Sequence, residues 1–249
     1  ATRLAEVMYE EGIDPRKDTK LHTVCIGAEP HSEEQRKRIE QLLGVKAYNC
    51  FGMSEMNGPG VAFECTEQNG LHIWEDNVIV EIVDPVTLQP VPGGEVGELV
   101  LTTINREAMP LLRYRTRDLT CILPGDCPCG RTHKRLARFK GRSDDMIILK
   151  GVNLFPIQIE KILMQFKELG SNYLITLETI GNSDEMLIEV ELSDLFTDDY
   201  SALQRLTKGI TRQLKDELLL TPRIKLVAKG SLPTTDGKAV RVKDHRKLC

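Results

Sequence analysis

The stretch GRSDDMIILKGVNLFP, residues 141–156, constrains the fold more than any other. It opens on a charge cluster, Arg142, Asp144 and Asp145, and runs into the apolar Met146, Ile147, Ile148 and Leu149. It then breaks at Lys150-Gly151, and Phe155-Pro156 follows. Proline suits the first turn of a helix, because its missing N–H has no partner there anyway. A charged segment feeding a buried strand is a common exit from one domain into another. The composition also shifts here. All but one of the seven cysteines lie upstream, in a loop-rich region, whereas strands and helices alternate regularly downstream. The expected boundary falls at Asp144, with one domain over residues 1–143 and a smaller, mobile one over 144–249.

A chain of 249 residues, 41% hydrophobic and 28% charged, can bury a real core. The net charge of −4 is spread out with no basic stripe, which argues against nucleic acid as a partner. No run of 18 apolar residues occurs and no signal-peptide pattern opens the chain, so no membrane association is expected. An odd number of cysteines without such a signal points to a reducing compartment, and the expected location is the cytoplasm.

Ala1 to Glu11 reads as a helix stopped at Gly12. A strand from His22 to Ile26 ends in Gly27-Ala28-Glu29-Pro30. Ser32, with Gln35 three residues on, forms a capping box that starts a helix with an Ile39, Leu42 and Leu43 stripe. Val45 to Cys50 is the next strand, closing in Phe51-Gly52-Met53-Ser54-Glu55. Strand–helix–strand units of this kind are parallel and right-handed. GAEP and FGMSE are therefore expected at the carboxyl edge of a parallel sheet, where ligands bind in open α/β folds. Ser54 and Glu55 suit a phosphate oxygen and Mg²⁺ there, or serve simply as a helix N-cap and a surface acid.

From Leu71 to Leu123 apolar and polar residues alternate around turns at Asp84-Pro85 and Pro92-Gly93-Gly94, predicting a small antiparallel sheet or partial barrel. Tyr114-Arg115-Thr116-Arg117-Asp118 ends that region. Asp118 is either an acceptor for a ribose diol or the partner of Arg115 or Arg117 in an ion pair. Cys65 and His72 flank a Gly-containing turn, and Cys127-Pro-Cys129-Gly130 makes a tight knuckle with His133 nearby. Two thiolates of a knuckle, a third thiolate and an imidazole suit tetrahedral Zn²⁺. Unpaired cytosolic thiols are the other reading, and whether His133 replaces a ligand stays open. Cys25, Cys50 and Cys121 are expected in the core.

The second half reads as strand Met146–Leu149, a helix from Pro156 to Phe166, and strands Tyr173–Leu177 and Met186–Leu192. A long helix over about Asp198 to Leu220 and a strand Ile224–Val227 complete it. Met186, Ile188, Val190 and Leu192 face one way and Glu185, Glu189 and Glu191 the other. Leu203, Leu206, Ile210, Leu214 and Leu218 share a helical stripe with Tyr200. The order βαββαβ predicts a ferredoxin-like sandwich. The fold class expected for the whole chain is thus α/β plus α+β. Beyond it lies the loop Ser231 to Arg241, carrying Lys238.

Four stretches in this order, FGMSE, YRTRD, GRSDDMIILKG and PTTDGKAVR, resemble the acyl-adenylate-forming enzymes. GAEP, GVAFEC…GLHIWED and AMPLLRYRTRDLT are similar, within that superfamily, to the phenylacetate–CoA ligase family. The resemblance runs over essentially the whole chain. It implies an AMP-forming acid–thiol ligase using an aryl acid, ATP and coenzyme A.

Residue by residue, the resemblance implies Glu55 for Mg²⁺ and Ser54 for the phosphate region. Gly27, Ala28, Glu29 and Pro30, with Phe51, Gly52 and Met53, would line the adenine and acid pocket. Asp118 would hold the ribose hydroxyls, with Arg142 nearby, and Asp144 would be the hinge. Lys238 would stabilise charge at the α-phosphate during adenylation, and Gly151 would line the approach of the CoA thiol. A structural zinc on Cys65, His72, Cys127 and Cys129 agrees with the same branch. The family also carries a Ser/Thr/Gly-rich phosphate loop ahead of FGMSE, and nothing of that type occurs between Ala1 and Phe51. The expectation is the C-terminal portion of a longer enzyme, inactive in adenylation by itself, with a homodimer as one possible assembly. Two alternatives stand beside it: a non-catalytic, zinc-stabilised fragment that binds nucleotide or CoA, and an adenylating enzyme that loads a carrier protein or acts on another aryl acid.

Overall fold

The computed structural model describes residues 1–56, 58–181, 183–193, 200–233 and 239–246. These form two compact units, Ala1–Pro30 with Ile39–Asp145, and His31–Arg38 with the chain from Met146 onward.

The first unit opens with α1 (Thr2–Glu10) and the single turn α2 (Pro15–Asp18), whose N-cap Asp14 accepts from the Arg16 N–H. Strand β1 (Thr23–Ile26), helix α3 (Glu33–Leu43), whose residues up to Arg38 count with the second unit, and strand β2 (Lys46–Met53) follow. Then come β3 (Gly58–Glu64), β4 (Leu71–Ile73), β5 (Val78–Val83), β6 (Gly97–Thr103) and β7 (Tyr114–Thr120). Three short strands, β8 (Ile122–Leu123), β9 (Arg135–Leu136) and β10 (Gly141–Arg142), finish the unit. β1 and β2 pair in parallel from Thr23 opposite Lys46 to Ile26 opposite Asn49. Beyond β2 the sheet continues antiparallel in the order β1-β2-β3-β4-β9-β8. The predicted antiparallel region therefore splits. Part of it extends this sheet, and the rest forms a second sheet, β10-β7-β6-β5. Val61, Leu71, Ile73, Leu99, Leu101 and Leu136 are central to the core that the two sheets share.

Two local expectations change. Cys25 is exposed rather than in the core, because β1 is an outer strand of its sheet; Cys50 is half-buried and Cys121 buried. The capping box of α3 is half made. Ser32 Oγ accepts from the Gln35 N–H at 3.1 Å, but the Ser32 N–H goes to Glu160 Oε1 at 2.9 Å, within the second unit. Glu160 has taken the place of the Gln35 side chain, whose Oε1 is buried without a hydrogen bond.

The second unit contains β11 (Ile147–Leu149), β12 (Val152–Leu154), α4 (Pro156–Leu163), β13 (Leu169–Ile180), β14 (Ser183–Leu192), α5 (Tyr200–Leu218), β15 (Arg223–Val227) and β16 (Val242–Asp244). Asp198, expected to open the long helix, lies outside the described residues. Pro156 occupies the first turn of α4, and the Phe155 N–H donates to Gln158 Oε1 at 2.8 Å. Along α5 the stripe Leu206, Ile210, Leu214 and Leu218 is buried, while Tyr200 is exposed. It packs with Ile159, Ile162, Ile175 and Ile188 in one aliphatic core.

The ferredoxin-like order gives way to another arrangement. The four-stranded sheet runs β15-β14-β13-β16, with β13 and β14 antiparallel but each outer strand parallel to its neighbour. The first strand of the predicted pattern, β11, is absent from it. Lys150 and Gly151 both take positive φ (50° and 80°), as a tight two-residue hairpin requires, so β11 folds back onto β12 instead. The place beside β13 goes to β16, which the sequence pattern did not suggest. Glu191 does face away from the Met186–Ile188–Val190 side, yet it is buried. It accepts from the Leu232 N–H at 2.9 Å and from Asn172 Nδ2 at 3.2 Å.

Candidate functional site

Three constellations in the first unit carry the residues singled out by sequence. The first is the cysteine–histidine cluster. Cys65 follows β3, His72 is on β4, and Cys127 and Cys129 lie in the loop between β8 and β9. Hydrogen bonding between β3, β4 and β9 brings these distant positions together, so that one ligand atom from each lies within 4.8 Å of the others. Cys65 Sγ and Cys127 Sγ are 3.6 Å apart, and Cys129 Sγ is 3.4 Å from His72 Nε2. His72 Nδ1 lies 3.2 Å from the His133 carbonyl oxygen, to which it can donate, leaving the Nε2 lone pair toward the thiols. His133 thus contributes its backbone. Its ring turns to Glu75 at 3.6 Å and to Trp74, so it replaces none of the four. The donors differ electrostatically. Burial pushes the Cys65 thiol up to about 11, whereas the Arg131 backbone N–H and guanidinium bring Cys129 down to about 6. Three thiols and an imidazole with ligand atoms within 4.8 Å of one another, three of the four residues buried, are a donor set that fits a Zn²⁺ ion.

The second constellation is the loop after β1 together with the carboxyl end of β2 and the turn that follows it. Because these strands are adjacent and parallel, Gly27–Pro30 and Phe51–Glu55 emerge at the same sheet edge. Gly27 has no room for a side chain, since a Cβ there would meet Cys50 O at 2.3 Å and Cys50 Sγ at 2.7 Å. Its loop therefore presses close to β2. Ala28 follows in the left-handed region at φ 68°, and Ala28, Glu29 and Pro30 are exposed. Phe51 stacks on Phe139 with ring centroids 4.5 Å apart. Ser54 and Glu55 form a 3-10 turn with Met56, and Arg106 Nη1 donates to the Glu55 carbonyl oxygen. The Glu55 carboxylate is a hard oxygen ligand of the kind Mg²⁺ prefers.

The third lies on the β7–β10 edge. Arg142 stands opposite Asp118 in the ladder, Nη1 to Oδ1 4.0 Å. Arg142 also grips Asp144 with both prongs, at 2.9 and 2.8 Å. That grip holds the Asp144 carboxyl below the usual carboxylate range, while burial and the Asp144 charge push Asp145 up. The two neighbouring guanidinium groups turn to Glu98: Arg115 bonds it at 2.9 and 2.6 Å, and Arg117 lies 3.9 Å from the same carboxylate.

Gly151 belongs to the second unit, at the turn of the β11–β12 hairpin. Lys150 of that turn pairs with Glu185 at 2.8 Å, and Arg246 Nη1 donates to Ile148 O at 2.5 Å. Lys238 lies outside the described residues. Sequence reading missed Glu98, Arg106 and Phe139. Only Glu98 left a signal, an acid inside the otherwise apolar run VGELVL.

The chain belongs to the AMP-binding enzyme family: the AMP-binding enzyme model matches residues 2–105, and the AMP-binding enzyme C-terminal domain model matches residues 151–246. Its curated relatives are phenylacetate–coenzyme A ligases. That of Thermus thermophilus is 41% identical, over 99% of this chain and 59% of the relative. That of Pseudomonas putida is 43% identical, over 98% of this chain and 55% of the relative. Among solved structures, a 2-hydroxyisobutyryl-CoA ligase bound to an acyl-AMP superposes with a TM-score of 0.90 at 32% identity, over 98% of this chain and 52% of that one. The chain spans little more than half the length of the curated relatives it matches. No helix among the described residues is long and apolar enough to cross a membrane.

Proposed function

We propose that this chain works in an AMP-forming aryl-acid–CoA ligase whose acid is phenylacetate, converting ATP, phenylacetate and CoA to phenylacetyl-CoA, AMP and pyrophosphate. The observation that carries this reading is the side-by-side exit of GAEP and FGMSE at one parallel-sheet edge, in a chain whose curated relatives bear that name along nearly all of it. The loop Gly27–Pro30, packed against β2 at Gly27 and exposed from Ala28 onward, offers its backbone to the adenine. Phe51, Gly52 and Met53 line the pocket beside it, and Ser54 faces the phosphates. Asp118 accepts from the ribose hydroxyls, with Arg142 beside it. Glu55 would hold Mg²⁺, which when bound neutralises phosphate charge. Lys238 stabilises the negative charge that builds at the α-phosphate as the carboxylate attacks. Gly151, with no side chain at its turn, leaves room for the approach of the CoA thiol.

Asp144, clamped by Arg142 at the last step before β11, is the proposed hinge between domains 1–143 and 144–249. Cys65, His72, Cys127 and Cys129 would hold a structural Zn²⁺, which closes the β3–β4–β9 region when bound. The reduced thiols of such a site suit the cytoplasm.

The test is phenylacetate-dependent ATP–pyrophosphate exchange beside thioester formation from synthetic phenylacetyl-adenylate. Lys238→Ala in the intact protein should lower exchange on the order of 10²–10³-fold, the scale of losing one pre-organised donor. Thioester formation should survive. Unaltered exchange would overturn the assignment.

A further inference from the structure

The first unit contains a buried charge that none of these roles uses. Glu98, on the inner strand β6, is completely buried. Its carboxylate takes two hydrogen bonds from Arg115, and Arg117 stands 3.9 Å away. Arg115 also donates to the Pro85 carbonyl oxygen at 3.0 Å. Exchanging such a pair for apolar residues of similar size is often neutral or stabilising, so stability alone does not account for it.

Its effect is on geometry. β6 and β7 pair Glu98 with Leu119 and Val100 with Arg115, so β7 takes four steps where β6 takes two. The surplus is a bulge, and within it Arg117 sits in the left-handed region at φ 69°, which is strained for a residue with a long side chain. Thr116 Oγ1 donates to Leu99 O at 3.0 Å and accepts from the Asp118 N–H at 3.1 Å. The Arg117 carbonyl oxygen accepts from the Ser143 N–H at 2.7 Å. Asp118 is the next residue. Two guanidinium groups, one before the bulge and one inside it, thus converge on a single buried carboxylate.

We propose that Glu98 is a positioning residue for Asp118: by drawing Arg115 and Arg117 to one buried carboxylate, it fixes the bulge that presents Asp118 to the ribose of the nucleotide. This rests on the ribose role proposed for Asp118. The shape of the bulge, rather than any contact of Glu98 with substrate, carries the effect. It should therefore show in discrimination between ribose and deoxyribose.

The experiment measures kcat/KM in pyrophosphate exchange for ATP and for 2′-deoxy- and 3′-deoxy-ATP, with the KM for phenylacetate as the control. The intact protein is compared with Asp118→Asn, Glu98→Gln and Arg117→Ala. Asp118→Asn should bring the ATP-to-deoxy ratio close to one. Glu98→Gln should lower that ratio about tenfold, equivalent to ~1.4 kcal/mol, with the phenylacetate KM unchanged. Arg117→Ala, which leaves the Glu98–Arg115 pair in place, should lower it about threefold, and it decides the matter if Glu98→Gln does not fold. Loss of discrimination in Asp118→Asn with a wild-type ratio in folded Glu98 and Arg117 variants overturns the positioning role. A wild-type ratio in Asp118→Asn itself instead overturns the ribose assignment.

Discussion

Glu98 in the first unit and Ile188 in the second occupy matching places, each on an inner strand and each with no exposed surface. One is an acid clamped by an arginine, the other an aliphatic residue among aliphatic residues. The contrast extends outward. In the first unit the candidate functional groups stand on a bulge, a knuckle and two strand-end segments, and polar contacts hold the bulge and the knuckle in place. In the second, a continuous aliphatic core carries a hairpin and an edge strand. Apolar packing is strong but non-directional, so it stabilises a sheet without aiming a particular oxygen. Hydrogen-bonded charges add little net stability and much geometric definition. The first unit is built for aim, the second for cohesion.

The largest test of that contrast targets the cysteine–histidine cluster. If the cluster is a zinc site, purified protein should carry about one Zn²⁺ per chain, and Cys127→Ser should abolish that stoichiometry. Binding free energy at such a site is folding free energy, so melting should fall by about 10 °C or more. Hydrogen exchange should locate the loss in β3, β4 and β9 and leave β13 and β14 protected. Metal-free protein with unchanged melting would dispose of the site. Equal deprotection in both units would break the contrast.

Next in size is a cavity in the second unit. Ile188→Ala should cost about 2–5 kcal/mol, because the side chain is wholly enclosed and its neighbours can close the space only in part. Zinc content should stay at the wild-type level. Denaturant unfolding and metal analysis on the same preparation check both halves.

Legibility in the sequence follows the same division. The parallel β1–α3–β2 unit could be read because periodicity and caps are local. So could the aliphatic faces of β14 and α5. The Cys65–His72–Cys127–Cys129 set was legible because thiols and Pro-Gly knuckles have few other uses in a reduced chain. The failures had non-local causes. β11 looks like any apolar strand; the positive φ of Lys150, a residue that does not announce it, together with that of Gly151 turns it back into a hairpin. β16 contributes three residues, VKD, whose apolar content is too small to register. Gln35 lost its capping role to Glu160, a residue far along the chain. Glu98's partners lie across a ladder that pattern alone does not draw.

A smaller effect concerns that hairpin. Gly151 sits at φ 80° with open space where a Cβ would go, so backbone strain rather than a clash sets the cost of a side chain. Gly151→Val should destabilise by about 1–3 kcal/mol, visible as a shifted denaturant midpoint with an unchanged slope. In the first unit Gly27→Ala is the counterpart governed by space. It must displace Cys50 backbone, and it should perturb the β1–β2 edge without touching the hairpin. If the two substitutions perturbed the same amide protons, the separation argued above would fail.

The smallest effect is in the pH dependence, where a carboxylate from each unit responds with opposite sign. Asp144 is held below its ordinary 3.8 by the Arg142 hydrogen bonds. Its stabilisation is present above that value and is lost as pH falls through the folded pKa. Half the side chain is exposed, at 51%, so screening limits the effect to a few tenths of a kcal/mol. Glu160 is the reverse case. Burial raises it above its ordinary 4.5, only partly offset by the Ser32 N–H, the Arg241 charge and the Tyr173 hydroxyl. The folded state then binds the extra proton. The contribution is full below 4.5 and declines as pH rises through the folded pKa. Asp144→Asn should therefore flatten the acid limb of the stability curve below pH 4, and Glu160→Gln should flatten a slope of opposite sign above pH 4.5. Urea unfolding of wild type and both variants across pH 3 to 7 separates the two. A Glu160→Gln curve parallel to wild type throughout would show that the buried carboxyl titrates as it does in the unfolded chain, and the opposition between the units would not extend to their acids.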